Sequence, residues 1–169
     1  FATYGPEEVV QHIVDQYVTG PKVLSPPDSR LLALVANQMK TAVGAIAPEV
    51  SLPSPINGTV DELSDLVQPY PCTVLFFYSS TCDHCHHEMP KLNALHARFH
   101  RKGLNIIGIA IDDDEEEFRA NINERELLFS CYSELQGWGS PSAKAFAVRA
   151  TPWLVVLNRE GRIVAKPHG

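Results

Sequence analysis

The sequence predicts an α/β domain, and three observations predict it. Residues 73–78, TVLFFY, form a continuous apolar run rich in strand formers, which suits a central strand buried on both faces. A long helical pattern follows, and then a second apolar run, LNIIGIAI at 104–111. These make a strand–helix–strand unit. Near the end, TPWLVVL and GRIVAK read as two strands joined by the turn NREG, a terminal hairpin.

The elements follow in order. Residues 6–18, PEEVVQHIVDQYV, place Val9, Val10, Ile13, Val14 and Tyr17 at helical spacing behind Pro6 and two glutamates, a helix start. Residues 27–43 repeat the pattern through Leu31, Leu32, Leu34, Val35 and Met39, and the join TGPKVLSPP is a loop of glycine and proline. This predicts an N-terminal helical extension over 1–43. Its apolar stripe is expected to pack onto the main domain rather than to dock a partner. The main domain is expected over 44–169. It opens with VSLP and the segment around INGTV, two short strands meeting at an Asn-Gly turn. The helix after TVLFFY is expected over 83–101, with Met89, Leu92, Leu95 and Phe99 on its buried face. DDDEEEFRANINE opens another helix, with acids over its positive end. LLFSCY reads as a short strand and SPSAKAFAV as a short helix. Nothing after GRIVAK supplies a last helix to cover the hairpin's open face, so part of the native sequence is expected beyond Gly169 or without order.

The bulk properties narrow the function classes. The chain has 169 residues, 44% hydrophobic and 20% charged, as in a soluble globular domain long enough to bury a core. The net charge of −6 argues against nonspecific nucleic-acid binding and gives no basic membrane-binding face. No apolar run approaches a membrane span. The opening FATYGPEE has no basic segment or apolar core of a signal peptide. A cytosolic protein and a mature or trimmed extracytoplasmic one both fit that.

Four cysteines, Cys72, Cys82, Cys85 and Cys131, are too few for a disulfide-stapled mini-protein. Only Cys82 and Cys85 form a close pair, and a structural zinc site would ordinarily add a second pair of ligands. Cys82 follows a buried strand and begins a helix. Free backbone N–H groups and the helix dipole favour a thiolate there. A thiolate attacks disulfides, whereas a neutral thiol hardly does. Cys82 is therefore the expected attacking sulfur. Cys85, one turn further in, is the expected resolving sulfur. Asp83 and His84 between them tune the couple in opposite senses: the acid opposes a thiolate, and a protonated imidazole favours it.

The stretch TVLFFYSSTCDHCHHEMPKLNAL resembles the active-site strand and helix of the thioredoxin superfamily, most of all its TlpA/ResA-like thiol-disulfide oxidoreductases, relatives of the AhpC/TSA group. GAIAPEVSLPSPINGTVDELSDL and FAVRATPWLVVLNREGRIV resemble that family's opening hairpin and its cis-proline strand with terminal hairpin. The three motifs occur in the family's order over roughly residues 44–165. The resemblance implies a thioredoxin-like fold, a central mixed β-sheet flanked by helices. It also implies disulfide exchange with protein thiols and disulfides, an upstream redox partner, no tightly bound cofactor and no metal. The implied location is extracytoplasmic, a bacterial periplasm or cell envelope, with any membrane anchor in a segment absent here; the implied direction is that of a reductant, in cytochrome maturation or disulfide repair.

Residue by residue, Cys82 and Cys85 match the family's redox pair, and Pro152 its cis-proline facing the disulfide; a cis bond before proline costs only about 0.5–1 kcal/mol. Thr151 would present backbone groups to an extended substrate strand, and Trp153 would line the substrate groove. Pro90 matches the proline that kinks the helix. Glu88 matches an acid near the active site that would relay a proton to or from Cys85. Two positions depart from thioredoxin itself. Phe76 stands where thioredoxin has a buried aspartate, which shifts the relay to Glu88. Thr81 stands where it has tryptophan, so the substrate-facing surface differs.

Other readings compete. His84, His86, His87, His96 and His100 crowd one helix. The i, i+4 pair His96 and His100 has ligand spacing, but a solvated polar helix face is the expectation. Copper or zinc handling through Cys82, Cys85 and a histidine is the alternative function. A thiol peroxidase ranks last, because Ser79 stands where the peroxidatic motif has threonine. DDDEEE at 112–117 lacks the spacing of a calcium loop and is expected as a solvated helix start. Cys72 and Cys131 are expected as buried free thiols, although the sequence leaves their pairing open. Trp138 and Trp153 are expected to pack.

Overall fold

This computed structural model describes residues 39–167 continuously, and before them only 12, 15, 16, 33 and 36. The expected helical hairpin within 1–43 lies almost wholly outside the described residues. A short hairpin comes first: β1 (Ser51–Pro53) pairs antiparallel with β2 (Val60–Glu62). The turn is longer than an Asn-Gly pair, running over 54–59. Ser54 N–H donates to Thr59 O at 2.8 Å, and Asn57 Oδ1 accepts Thr59 N–H at 3.1 Å. Next come α1 (Leu63–Val67), β3 (Cys72–Tyr78), α2 (Asp83–Phe99) and β4 (Leu104–Ala110). The chain continues through α3 (Glu115–Glu124), β5 (Ser130–Ser133), α4 (Pro141–Ala145), β6 (Trp153–Asn158) and β7 (Ile163–Ala165).

Five strands form one mixed sheet in the order β5-β4-β3-β6-β7. β3, β4 and β5 run parallel, while β6 is antiparallel to both β3 and β7. This is the expected α/β architecture. β3 is central because its sequence permits nothing else: Leu75, Phe76, Phe77 and Tyr78 are each fully buried. Each apolar side chain removed from water contributes roughly 1.5–3 kcal/mol. Alternation along the strand divides the core. Leu75 and Phe77 join Val155, Leu157, Phe146 and Ile163 on one face. Phe76 and Tyr78 join Cys85, Met89, Leu92, Ile106 and Phe118 on the other.

α2 ends at Phe99 and closes through a 3₁₀ turn over His100–Lys102. Its buried residues are Cys85, Met89 and Leu92; continued at i+11, that row reaches His96 rather than Leu95. Leu95 is exposed. His96 and His100 do not form a solvated face. They are half-buried, and their rings stack at 4.4 Å between centroids, with Tyr70 tilted against His100 at 5.4 Å. They line a cavity of about 430 Å³ with Asp65, Asn105 and Ser130. Burial, and secondarily His100, lowers the His96 pKa below the ordinary imidazole value. Trp138 does not pack: it is 55% exposed in the 3₁₀ turn Gly137–Gly139. α1 was not legible, since five residues carry too little periodicity.

The two outlying cysteines are free thiols, Cys131 buried and Cys72 only half-buried. The register keeps them apart. Cys72 pairs with Leu104 and Cys131 with Gly108, so they stand two strands apart sideways and four residues apart along the sheet. At about 4.8 Å per strand and 3.3 Å per residue, that is roughly 16 Å, beyond the ~7 Å reach of a disulfide. Burial pushes the Cys131 thiol up to about 12.

Gly108 is required by packing. A β-carbon there would sit 2.9 Å from Cys131 Sγ, 3.1 Å from Tyr78 and 3.2 Å from Phe129. Gly108→Ala is therefore expected to destabilise the protein by about 1–3 kcal/mol in urea unfolding. Because the thiol is the nearest obstacle, the double variant with Cys131→Ala should cost less than the two single changes summed. Simple additivity would place the clash elsewhere.

Candidate active site

β3 delivers the chain to the C-terminal edge of the sheet, and the turn 79–82 redirects it into α2. Cys82 is the N-cap of α2, in extended backbone conformation. Its Sγ accepts the Cys85 N–H at 3.2 Å, as an oxygen does at an ordinary helix start. Cys82 N–H donates to Ser79 O at 3.1 Å, and Cys82 O accepts the His86 N–H at 3.1 Å. Cys82 is half-buried as a residue, and its thiol donates to Thr151 O at 3.5 Å. The Thr151–Pro152 peptide bond is cis. The structure thus brings Cys82, Cys85 and Thr151 together across 69 residues of chain.

Cys85 is fully buried among Phe76, Tyr78 and Met89. Burial, with the Cys82 thiol beside it as a second cause, pushes its thiol up to about 12. The two sulfurs are chemically distinct: one open to a partner at a helix start, the other held neutral beneath it. That asymmetry suits attack by the first and resolution by the second.

The remaining expected residues lie around this centre. Asp83 and His84 are exposed on the first turn of α2. Glu88 is half-buried, and its carboxylate holds Lys91 Nζ at 2.7 Å. Pro90 lies inside α2 without ending it, leaving the His86 carbonyl without its helical donor. Trp153 begins β6, packs against the core beside Phe77, and carries Lys166 Nζ 5.4 Å over its ring. Its indole N–H is buried without a partner.

A second set of residues around the pair was missed. Asp112 belongs to the DDDEEE run, and the expectation of a solvated helix start fails for it. Asp114 does cap α3, accepting the Glu116 and Glu117 N–H groups at 2.7 and 3.0 Å, and residues 113–117 are exposed. Asp112, however, is only 5% exposed and faces the turn before Cys82. It accepts Ser80 N–H at 2.9 Å, Ser79 Oγ–H at 3.1 Å and Ser80 Oγ–H at 2.5 Å. On the other side, His86 Nε2–H donates to Ser80 O at 2.7 Å, and His86 Nδ1 accepts from Arg125 at 3.0 Å. That pattern fixes the imidazole in one tautomer. One signal pointed here: Asp112 follows the apolar run of β4, and parallel strands end on the same edge of a sheet. Among the described residues, no group of three or more His, Cys, Asp or Glu side chains is placed to hold a metal ion, and no helix is long and apolar enough to cross a membrane.

Comparison with known proteins gives concordant matches. The sequence model of the AhpC/TSA family matches residues 43–166. The thiol-disulfide oxidoreductase ResA of a Bacillus cereus strain is 25% identical over 134 residues, 79% of this chain and 74% of that one. Among solved structures, the thioredoxin domain of a thiol-disulfide oxidoreductase from Bacteroides vulgatus superposes with a TM-score of 0.68 at 24% identity, over 75% of this chain and 89% of that one. A thiol:disulfide interchange protein from Bacteroides sp. gives 0.67 at 25% identity, over 76% and 82%. The described sheet and helices are those of the thioredoxin-like fold.

Proposed function

We propose, from the premise that this chain belongs to the AhpC/TSA family as a TlpA/ResA-like member of the thioredoxin superfamily, that it exchanges disulfides with protein substrates through Cys82 and Cys85. It is an oxidoreductase, and the reading assigns it the role of an extracytoplasmic reductant. The supporting observation is the unequal pair: a half-exposed Cys82 at the start of α2, its sulfur 3.2 Å from the backbone N–H of a fully buried Cys85. In the reducing direction, the Cys82 thiolate attacks a substrate disulfide, forming a mixed disulfide and releasing one substrate thiolate. Cys85, once deprotonated, attacks the Cys82 sulfur. That forms the Cys82–Cys85 disulfide and releases the second thiolate. Two electrons pass to the substrate, and an upstream thiol partner restores the pair.

In this reading, Thr151 and Pro152 present backbone to an extended substrate segment, Trp153 lines the substrate groove, and Glu88 exchanges a proton with Cys85. Asp83 and His84 set the balance between thiol and disulfide. The catalytic domain is assigned to 44–169, preceded by the extension 1–43.

The reduction potential of the Cys82–Cys85 couple tests the assigned direction. A reductant should lie near or below about −200 mV, toward the range of thioredoxin at about −270 mV. A value near −120 mV, that of a dedicated oxidant, would reverse the direction. Stoichiometric copper or zinc on the gently reduced protein would replace the reading with metal handling.

A further inference from the structure

We infer that Asp112 is a positioning residue for the redox pair, acting on Cys82 through the turn that precedes it. The inference rests on the disulfide-exchange reading above. Its basis is where the buried carboxylate places its hydrogen bonds: its three donors are the Ser79 hydroxyl and the N–H and hydroxyl of Ser80. A buried carboxylate is costly unless it is well hydrogen-bonded, and charge-assisted bonds of this kind are among the strong ones. Here their whole effect falls on two residues, immediately before Thr81 and Cys82.

The turn is held from every side. Ser80 O accepts His86 Nε2–H at 2.7 Å and Asn121 Nδ2–H at 3.4 Å. Ser79 Oγ also pairs with Thr81 Oγ1 at 3.1 Å and accepts the Thr81 N–H at 3.4 Å. Ser79 O in turn accepts the Cys82 N–H at 3.1 Å. The chain of contacts runs from carboxylate to turn to the backbone of Cys82, and the N-cap geometry of Cys82 sets where its sulfur stands relative to Cys85. Asp112 reaches this place because β4 lies beside β3 in parallel register, with Ala110 opposite Tyr78, and Ile111 N–H donates to Tyr78 O at 2.7 Å. Residue 112 then meets residue 80.

Positioning has a thermodynamic readout. For the exchange of protein dithiol and oxidised glutathione into protein disulfide and two reduced glutathiones, the equilibrium constant measures the effective concentration of one cysteine at the other. Releasing the turn lets Cys82 wander and lowers that concentration. Asp112→Ala is expected to lower the constant about tenfold, which for a two-electron couple is about 30 mV. Asp112→Asn, which keeps an acceptor for the Ser80 N–H, is expected to stay within about threefold of the parent. Ser80→Ala, which removes one donor, should also fall about threefold. Melting of the reduced proteins is followed in parallel, because a general loss of stability lowers the melting temperature without moving the exchange constant.

An unchanged constant in folded Asp112→Ala overturns the inference. So do equal shifts in Asp112→Ala and Asp112→Asn, which would assign the effect to charge. If Asp112→Ala does not fold, Ser80→Ala decides, and an unshifted constant there counts against it. A parent protein forming no Cys82–Cys85 disulfide in glutathione would remove the exchange reading itself, and this inference with it.

Discussion

Cys82→Ser is expected to bring dithiothreitol-driven insulin reduction down to the uncatalysed rate, a loss on the order of a hundredfold or more, because a hydroxyl offers no ionised nucleophile at neutral pH. The substitution isolates chemistry from folding. Serine is among the best N-cap residues, and its oxygen can accept the Cys85 N–H that Cys82 Sγ accepts now at 3.2 Å. The start of α2 should therefore survive, and the melting temperature of the variant should match the reduced parent's. No other thiol is placed to substitute. Cys85 is fully buried, Cys131 is buried beneath Tyr78 and Phe129, and half-exposed Cys72 begins β3, at the far end of the strand from the turn. Retained activity would move the nucleophile to Cys72 and dissolve the site described above.

The parts that were legible in the sequence were those written in adjacent residues. TVLFFY is apolar at every position that a doubly buried strand needs, and the C-x-x-C follows it at once, so strand, helix start and paired sulfurs are read together. The buried face of α2 was harder. Leu95 looked apolar and at the right spacing, but the phase of the helix is set by Cys85, Met89 and Leu92, and His96 takes the place expected of leucine. Asp112 was hidden for a different reason. In sequence it opens an acidic run, and five of the six acids do face solvent. Its burial follows only from the pairing of β3 with β4, a contact between residues more than thirty apart. Trp138 was misread because two flanking glycines lift it out on a short turn tied to Asp112 O through the Gly137 N–H at 3.1 Å, and composition carries no trace of that.

Cys85→Ser should leave the first attack intact and remove the second, so mixed disulfides between Cys82 and substrate proteins accumulate. On a non-reducing gel the variant is expected to shift largely into adducts that dithiothreitol dissolves, where the parent shows traces. The magnitude follows from the state of the missing thiol. Burial chiefly, and the neighbouring Cys82 thiol next, push Cys85 up to about 12. Burial, the larger cause, persists when Cys82 is tied up in a mixed disulfide, so Cys85 stays largely protonated at pH 7 and resolution waits for a proton to leave. The sign of the pH dependence is then fixed. Raising the pH increases the Cys85 thiolate, so parental mixed disulfides should resolve faster by up to about tenfold per unit between pH 6 and 9. The serine variant's adducts should persist unchanged over that range, since its hydroxyl does not ionise there. Glu88, now paired with Lys91 at 2.7 Å, is the carboxylate proposed to take the proton, and slower resolution throughout this range in Glu88→Gln, with the rise toward high pH retained, would fit that role. Two results would count against Cys85 as the resolving sulfur: a variant that runs as clean monomer in the presence of substrate, or adducts that clear as fast as the parent's. Either would mean that a second substrate thiol, rather than the buried one, completes the exchange.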